Sequence, residues 1–335
     1  MAAQDFYTLK NAEKLQIITQ VAEQQNLPYF AIEKDWWVVQ TLSIIFQLDV
    51  ANHLLFKGGT SLSKAWQLIN RFSEDIDLVL NREYLGFDGG LISKSQVKKL
   101  REASFEFVTT IFYEALQKAF AEKGYTDVTF DFENLGDGDQ DPVSILIYYP
   151  AVTEHSEYVL PRVKVELGSR SLKDPFSNCE IASFVGEQFI ELPFADVPIT
   201  IPCVNPERTY LEKLFLLHEE FQKPKDKIRV DRLSRHLYDI TKIYNSKHKD
   251  KAYNQELIVA IIKHRERFNG MRGVDYSTLY PPNLNPIPPQ EFIKTWEEDY
   301  KTMQTNMIPE DSPSFKDLLE TVKQATKEYN ALKFE

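Results

Sequence analysis

Between Leu54 and Leu80 the chain reads strand, glycine turn, helix, strand, and the second strand carries two carboxylates on one side. Leu54, Leu55 and Phe56 form a short apolar run that ends at Gly58-Gly59. Thr60-Ser61 follows as an N-cap for a helix through Leu62, Ala65, Trp66 and Leu68. Asp75 to Leu80 then alternates, so Ile76, Leu78 and Leu80 take the core face while Asp75 and Asp77 share the other. Carboxylates that close repel, and a divalent cation is the commonest remedy. Acid-x-acid pairs recur at Asp131/Glu133, Asp137/Asp139 and Asp139/Asp141, so the pair alone says little. What distinguishes Asp75/Asp77 is the upstream block Lys57-Gly58-Gly59-Thr60-Ser61. Glycines let backbone approach a ligand closely, and amides at a helix start, with the Thr60 and Ser61 hydroxyls, make a phosphate cradle. The spacing is not that of a Walker A loop. A phosphate cradle followed by paired carboxylates points to a metal-bound polyphosphate; taken separately, the parts are a tight turn and a solvated acidic strand edge.

The rest of the chain frames this unit. It has 335 residues, 43% of them hydrophobic, enough for two domains with sizeable cores. No apolar run approaches the roughly 18 residues of a membrane span, and the N-terminus lacks a signal-peptide apolar region, so a cytoplasmic protein without membrane partners is expected. Cys179 and Cys203 sit in no metal-ligand spacing and read as core thiols, and the acidic stretch from Asp131 to Asp141 lacks the Gly and Glu of a calcium loop. Two packing helices are expected before residue 50, the first striped by Leu15, Ile18, Val21 and Ala22, the second from Ile32 to Phe46. A long helix is expected from Ser93 to Lys123, with Val97, Leu100, Phe107, Ile111, Leu116 and Phe120 inward. Strands are expected at Val128–Phe132, Ser144–Tyr149 and Arg162–Leu167. Beyond Pro206 the pattern is helical, at Glu207–Phe221, Arg232–Tyr244, Gln255–Arg267 and, after a proline-rich connector, twice more. The expected organisation is α+β: packing helices over 1–50, a mixed sheet with flanking helices over 51–204, and a helical domain over 205–335.

Three further residues bear on the chemistry. In Arg162–Leu167, Val163, Val165 and Leu167 take one face and leave Glu166 on the other with Arg162 and Lys164. Glu166 either completes a carboxylate triad or pairs with Lys164 at i−2; local sequence does not choose. Lys213 lies on an amphipathic helix, by default as a solvated rim charge, and Asp239 by default pairs with Arg235 one turn back.

Phe56-Lys57-Gly58-Gly59-Thr60-Ser61-Leu62 followed by Arg71-Phe72-Ser73-Glu74-Asp75-Ile76-Asp77-Leu78 resembles the AbiEii family of nucleotidyltransferase toxins, within the polymerase-beta-like nucleotidyltransferase superfamily. Glu212-Lys213-Leu214 resembles that family's lysine motif, and Arg235-His236-Leu237-Tyr238-Asp239-Ile240 its Arg-Asp-x-x-Asp-Leu motif, with His236 where Asp is common. The resemblance implies a nucleotidyltransferase-like mixed sheet and transfer of NMP from an NTP to an acceptor hydroxyl. It implies catalytic roles for Asp75, Asp77, Glu166, Lys213 and Asp239, with Mg²⁺ or Mn²⁺ held by Asp75, Asp77 and Glu166. Lys57, Gly58, Gly59, Thr60, Ser61, Arg71 and Ser73 are implied to bind the nucleotide; for Arg71 and Ser73 only the motif says so. It further implies a toxin of a bacterial toxin–antitoxin or phage-defence pair, with a cognate antitoxin as partner and tRNA as acceptor.

Charge bears on the acceptor. The net charge is −11, yet Phe221 to Gly273 holds 14 Lys and Arg against 6 Asp and Glu, which favours an RNA acceptor. Two other readings stand beside this one: a non-catalytic RNA- or partner-binding protein on a degenerate fold, against which the intact Asp-x-Asp argues, and a small-molecule, antibiotic-type nucleotidyltransferase.

Overall fold

The computed structural model describes residues 5–90, 92–154, 159–170, 175–308 and 312–334. The chain divides into two compact units, one of residues 1–66 and 72–203, the other of residues 67–71 and 204–335.

The first unit opens with α1 (Asn11–Gln25) and α2 (Tyr29–Ile45), separated by Asn26 in the left-handed conformation. Leu15 is 42% exposed, so the α1 stripe narrows to Ile18, Val21 and Ala22. Trp36 and Trp37 are core residues: they meet edge to face, and Trp37 stacks on Tyr149. β1 (Leu54–Lys57) runs into α3 (Gly58–Thr60), which continues as a π-turn over Ser61–Ala65. The helix thus begins three residues earlier than a Thr60 cap would give, with Lys57 at the N-cap, and stops before Leu68 because Gln67 turns left-handed. Thr60 is therefore not a cap.

β2 (Asp75–Leu80) follows, then α4 (Lys94–Phe107), a π-turn at Val108–Phe112, and α5 (Tyr113–Glu122). Ser93 caps α4 through a reciprocal capping box with Gln96. The extra residue of the π-turn shifts the stripe by one position, so Phe112 turns inward while Ile111, expected in the core, is 63% exposed. β3 (Thr129–Phe132), β4 (Val143–Tyr148), β5 (Arg162–Gly168), β6 (Phe176–Ile181), α6 (Phe184–Gln188) and β7 (Ile199–Val204) complete the succession.

Among the described residues, seven strands form one mixed sheet in the order β3-β4-β5-β2-β1-β7-β6. β1 and β2 are antiparallel, while β2/β5 and β1/β7 are parallel. Ile76, Leu78, Leu80, Phe56, Val163, Val165 and Leu167 join the helices in the main core, which leaves Asp75, Asp77 and Glu166 on the other face.

The second unit is helical: α7 (Pro206–Phe221), α8 (Ser234–Tyr244), α9 (Lys249–Ala252), α10 (Gln255–Phe268), α11 (Ile293–Met307) and α12 (Phe315–Asn330). Pro206 occupies the first turn of α7, where its missing N–H costs nothing. α8 starts two residues later than expected because Arg232 is left-handed. Asp299 of α11 accepts from the Arg232 and Ser234 amides at 2.7 and 2.9 Å, standing in for a local cap.

Candidate active site

Strand register assembles the acidic group. Asp77 lies opposite Lys57 of β1 on one side and Glu166 of β5 on the other, and Asp75 lies opposite Lys164. Directly opposed residues share a face, so Asp75, Asp77, Glu166, Lys57 and Lys164 line one strip of sheet. The strip alternates acid with base. Lys164 Nζ contacts Glu166 Oε1 at 2.7 Å and Glu133 Oε2 at 2.6 Å, while Arg162 reaches Glu133 at 3.0 Å. Burial tends to lower the Lys164 pKa, but its bonds to Glu133 and Glu166 outweigh that, and the ammonium is held well above its ordinary range. Glu166 thus makes the i, i+2 ion pair and also stands beside Asp77. Among the described residues, no three His, Cys, Asp or Glu side chains converge as a closed metal site.

Gly58 explains the glycine turn. Its φ is +82°, and a Cβ there would lie 1.8 Å from Asp77 Oδ2. The carboxylate occupies the space a side chain would fill, so glycine is required both for conformation and for the approach of Asp77 to the helix start. Gly59 is not among the left-handed glycines.

The hydroxyls are placed differently from expectation. Thr60 is buried; its Oγ1 donates to the Asp75 carbonyl at 2.5 Å and meets Ser73 Oγ at 3.1 Å. Thr60 and Ser73 therefore tie the glycine turn to the start of β2. Ser61 is buried as well.

Three consecutive charged residues of α2, absent from the sequence reading, support the strip. Glu33 accepts from the Val152 and Thr153 amides at 2.7 and 3.1 Å. Lys34 is ion-paired with Glu74, next to Asp75, and donates to the Leu160 carbonyl at 3.1 Å. Asp35 pairs with Lys64 at 3.0 Å and accepts from the Phe184 amide at 2.8 Å. All three are buried in a largely apolar helix, and that was the available signal: charges in a core helix are kept only with partners.

In the second unit Arg71 and Asp239 form a two-pronged pair, Nε to Oδ1 at 2.7 Å and Nη2 to Oδ2 at 2.8 Å. Lys213 Nζ joins at 2.9 Å from Asp239 Oδ2 and 3.3 Å from His236 Nδ1. Two expectations change. Asp239 pairs with Arg71 and Lys213 rather than with Arg235, and Lys213 is a buried cation rather than a rim charge. Arg71, grouped by motif with the nucleotide-binding residues, is committed through Nε and Nη2 to Asp239. Burial would raise the Asp239 pKa, but Arg71 and then Lys213 more than reverse it, and the carboxyl lies well below the usual range. Burial, followed by Lys213 and Arg235, pushes His236 well down, so Nδ1 of a neutral imidazole accepts from the ammonium.

A mixed sheet with an acid pair beside a glycine turn, followed by a helical region, fits a nucleotidyltransferase. A family model described as nucleotidyl transferase AbiEii toxin, type IV TA system, matches residues 41–321, and the chain belongs to that family. It is therefore an enzyme of nucleotidyl transfer. A comparison with curated proteins finds no match.

Proposed function

We propose that the chain moves NMP from an NTP to an acceptor hydroxyl with the help of a divalent cation, and acts as the toxin of a toxin–antitoxin pair. The observation that carries this is the packing of Asp77 against the glycine turn at Gly58, with Asp75 and Glu166 on the same strip. The donor set is all carboxylate oxygen, which suits a hard cation such as Mg²⁺ or Mn²⁺ that Asp75, Asp77 and Glu166 would hold. When bound, the cation supplies charge neutralisation at the phosphates and lowers the acidity barrier of the attacking hydroxyl. The chain's own part is positional. The Gly58-Gly59 backbone admits the phosphates at the helix start, and Lys57 and Lys164 add positive charge along the strip. The acceptor oxygen bonds to the α-phosphorus as the bond to the β-phosphate oxygen breaks. Pyrophosphate leaves, and the hydroxyl proton passes to a carboxylate of the strip or to water.

RNA, tRNA in particular, is the acceptor this reading favours. In the basic segment Lys225, Lys227 and Arg229 are exposed, although Glu291 and Glu220 partly neutralise Lys225 and Arg229. Incubation of the purified chain with each α-labelled NTP, Mg²⁺ and either tRNA or total cell protein tests the proposal. Label in tRNA supports it, label in protein replaces the acceptor, and no label in either with any NTP overturns it.

A further inference from the structure

A cavity of about 510 Å³ opens in the first unit. Its floor comes from Leu55, Val79, Pro202 and Phe176 on four adjacent strands. These alternate with core-facing Phe56, Leu78, Leu80 and Cys203, so the floor is the same sheet face that carries Asp75 and Asp77. Val79 is two residues beyond Asp77, a step of about 7 Å along the strand that one ribose can bridge.

We propose that this cavity binds a nucleobase, an inference that rests on the nucleotidyl-transfer reading and extends it to specificity. The volume falls in the range of small-molecule sites, roughly 300–1,000 Å³. Among the described residues its lining carries no Lys, Arg, Asp or Glu, which disfavours phosphate and suits a neutral ring system. Asn52, Asn178 and Thr200 bring amide and hydroxyl groups, each amide offering a donor and an acceptor as base edges require. Asn81 also lines the wall, but its side chain is engaged with Glu83. Phe176, 49% exposed, supplies a flat apolar face against which a base can stack. His53 is held by its ring contact with Tyr84 at 4.8 Å.

The base belongs either to the donor NTP or to the acceptor's terminal nucleotide, and the experiment separates them. Asn178→Leu and Phe176→Ala alter exposed positions, so both should fold, which melting temperature verifies. KM is measured for all four NTPs at saturating tRNA, and for tRNA at saturating NTP. If the donor base occupies the cavity, KM for the preferred NTP rises between about 5- and 150-fold and the NTP ranking flattens. If the acceptor base does, the same rise appears in KM for tRNA with the NTP ranking intact. Either supports the proposal. Both variants behaving as wild type would overturn it. Should the wild type transfer nothing, calorimetric titration with the four free ribonucleosides still decides: saturable heat with wild type, lost in Phe176→Ala, supports the cavity, and no heat with any nucleoside refutes it.

Discussion

Gly58 and Asp77 are one device at the residue scale. Replacing Gly58 by Ala places a methyl where the Asp77 carboxylate sits and forces a left-handed alanine, costing about 1–2 kcal/mol for the backbone alone. Transfer should therefore fall much further than melting temperature, and wild-type kcat/KM in Gly58→Ala would show the turn to be structural only. The buried group around Asp239 makes a different prediction, in pH. A carboxyl and an imidazole whose folded pKa values are both depressed stabilise the fold above their unfolded values and lose that contribution as pH falls. Melting temperature should decline first below about pH 6.5 on account of His236, then more steeply below about pH 4 on account of Asp239. His236→Gln, whose amide oxygen can still accept from Lys213, should shrink the first decline, to which His218 and His248, also lowered by burial, contribute, and keep the second. An unchanged profile would contradict the neutral-imidazole assignment. The residues of this group are 168 positions apart in the case of Arg71 and Asp239, and no spacing rule reaches that far. Sequence could nominate Lys213 and Asp239 by resemblance, but only the fold reveals that Asp239 also pairs with Arg71.

At the scale of elements, β2 was legible because alternation over Asp75–Leu78 fixes which face is the core face, even though Val79 is buried on the other face, and the parallel register with β5 then brings Glu166 beside Asp77. β6 and β7 were not legible. Phe176–Ile181 is a largely exposed edge strand with polar residues at the positions an alternation rule would read, and Ile199–Val204 contains Pro202, which argues against a strand until its place beside β1 is known. The α2 helix was read as packing and turns out also to hold the loops around the acid strip. Lys34→Met would leave Glu74 charged, buried and without its closest cation, so a loss of about 3–5 kcal/mol is expected in denaturant unfolding. Lys34→Met combined with Glu74→Gln removes both charges and should recover most of that stability. If the double variant is no more stable than the single one, the ion pair is not what the helix contributes there.

For the molecule as a whole, composition misleads in an instructive way. The chain is acidic overall, yet its basic surplus gathers in one stretch of the helical unit. Part of the surplus is spent internally: Arg265 is buried against Glu219 at 2.6 Å, and Glu220 holds Lys223 and Arg229. What remains exposed should bind RNA by displacing counterions, so tRNA binding should weaken steeply with salt while NTP binding responds less. Charge reversal at Lys225 and Lys227 should raise KM for tRNA and flatten that salt slope, leaving NTP affinity close to wild type. A variant with an unaltered slope would assign the basic stretch to solvation.

The most direct test is transfer of α-labelled NMP by Asp77→Asn compared with wild type, at matched melting temperature and across Mg²⁺ concentration. Asn keeps the shape beside Gly58 and removes the charge. Loss of at least about 100-fold in kcat/KM, unrelieved by added Mg²⁺, is the predicted result, since cation-assisted charge stabilisation is worth several kcal/mol. Transfer within a few-fold of wild type would contradict the assignment of the acid strip as the reacting centre.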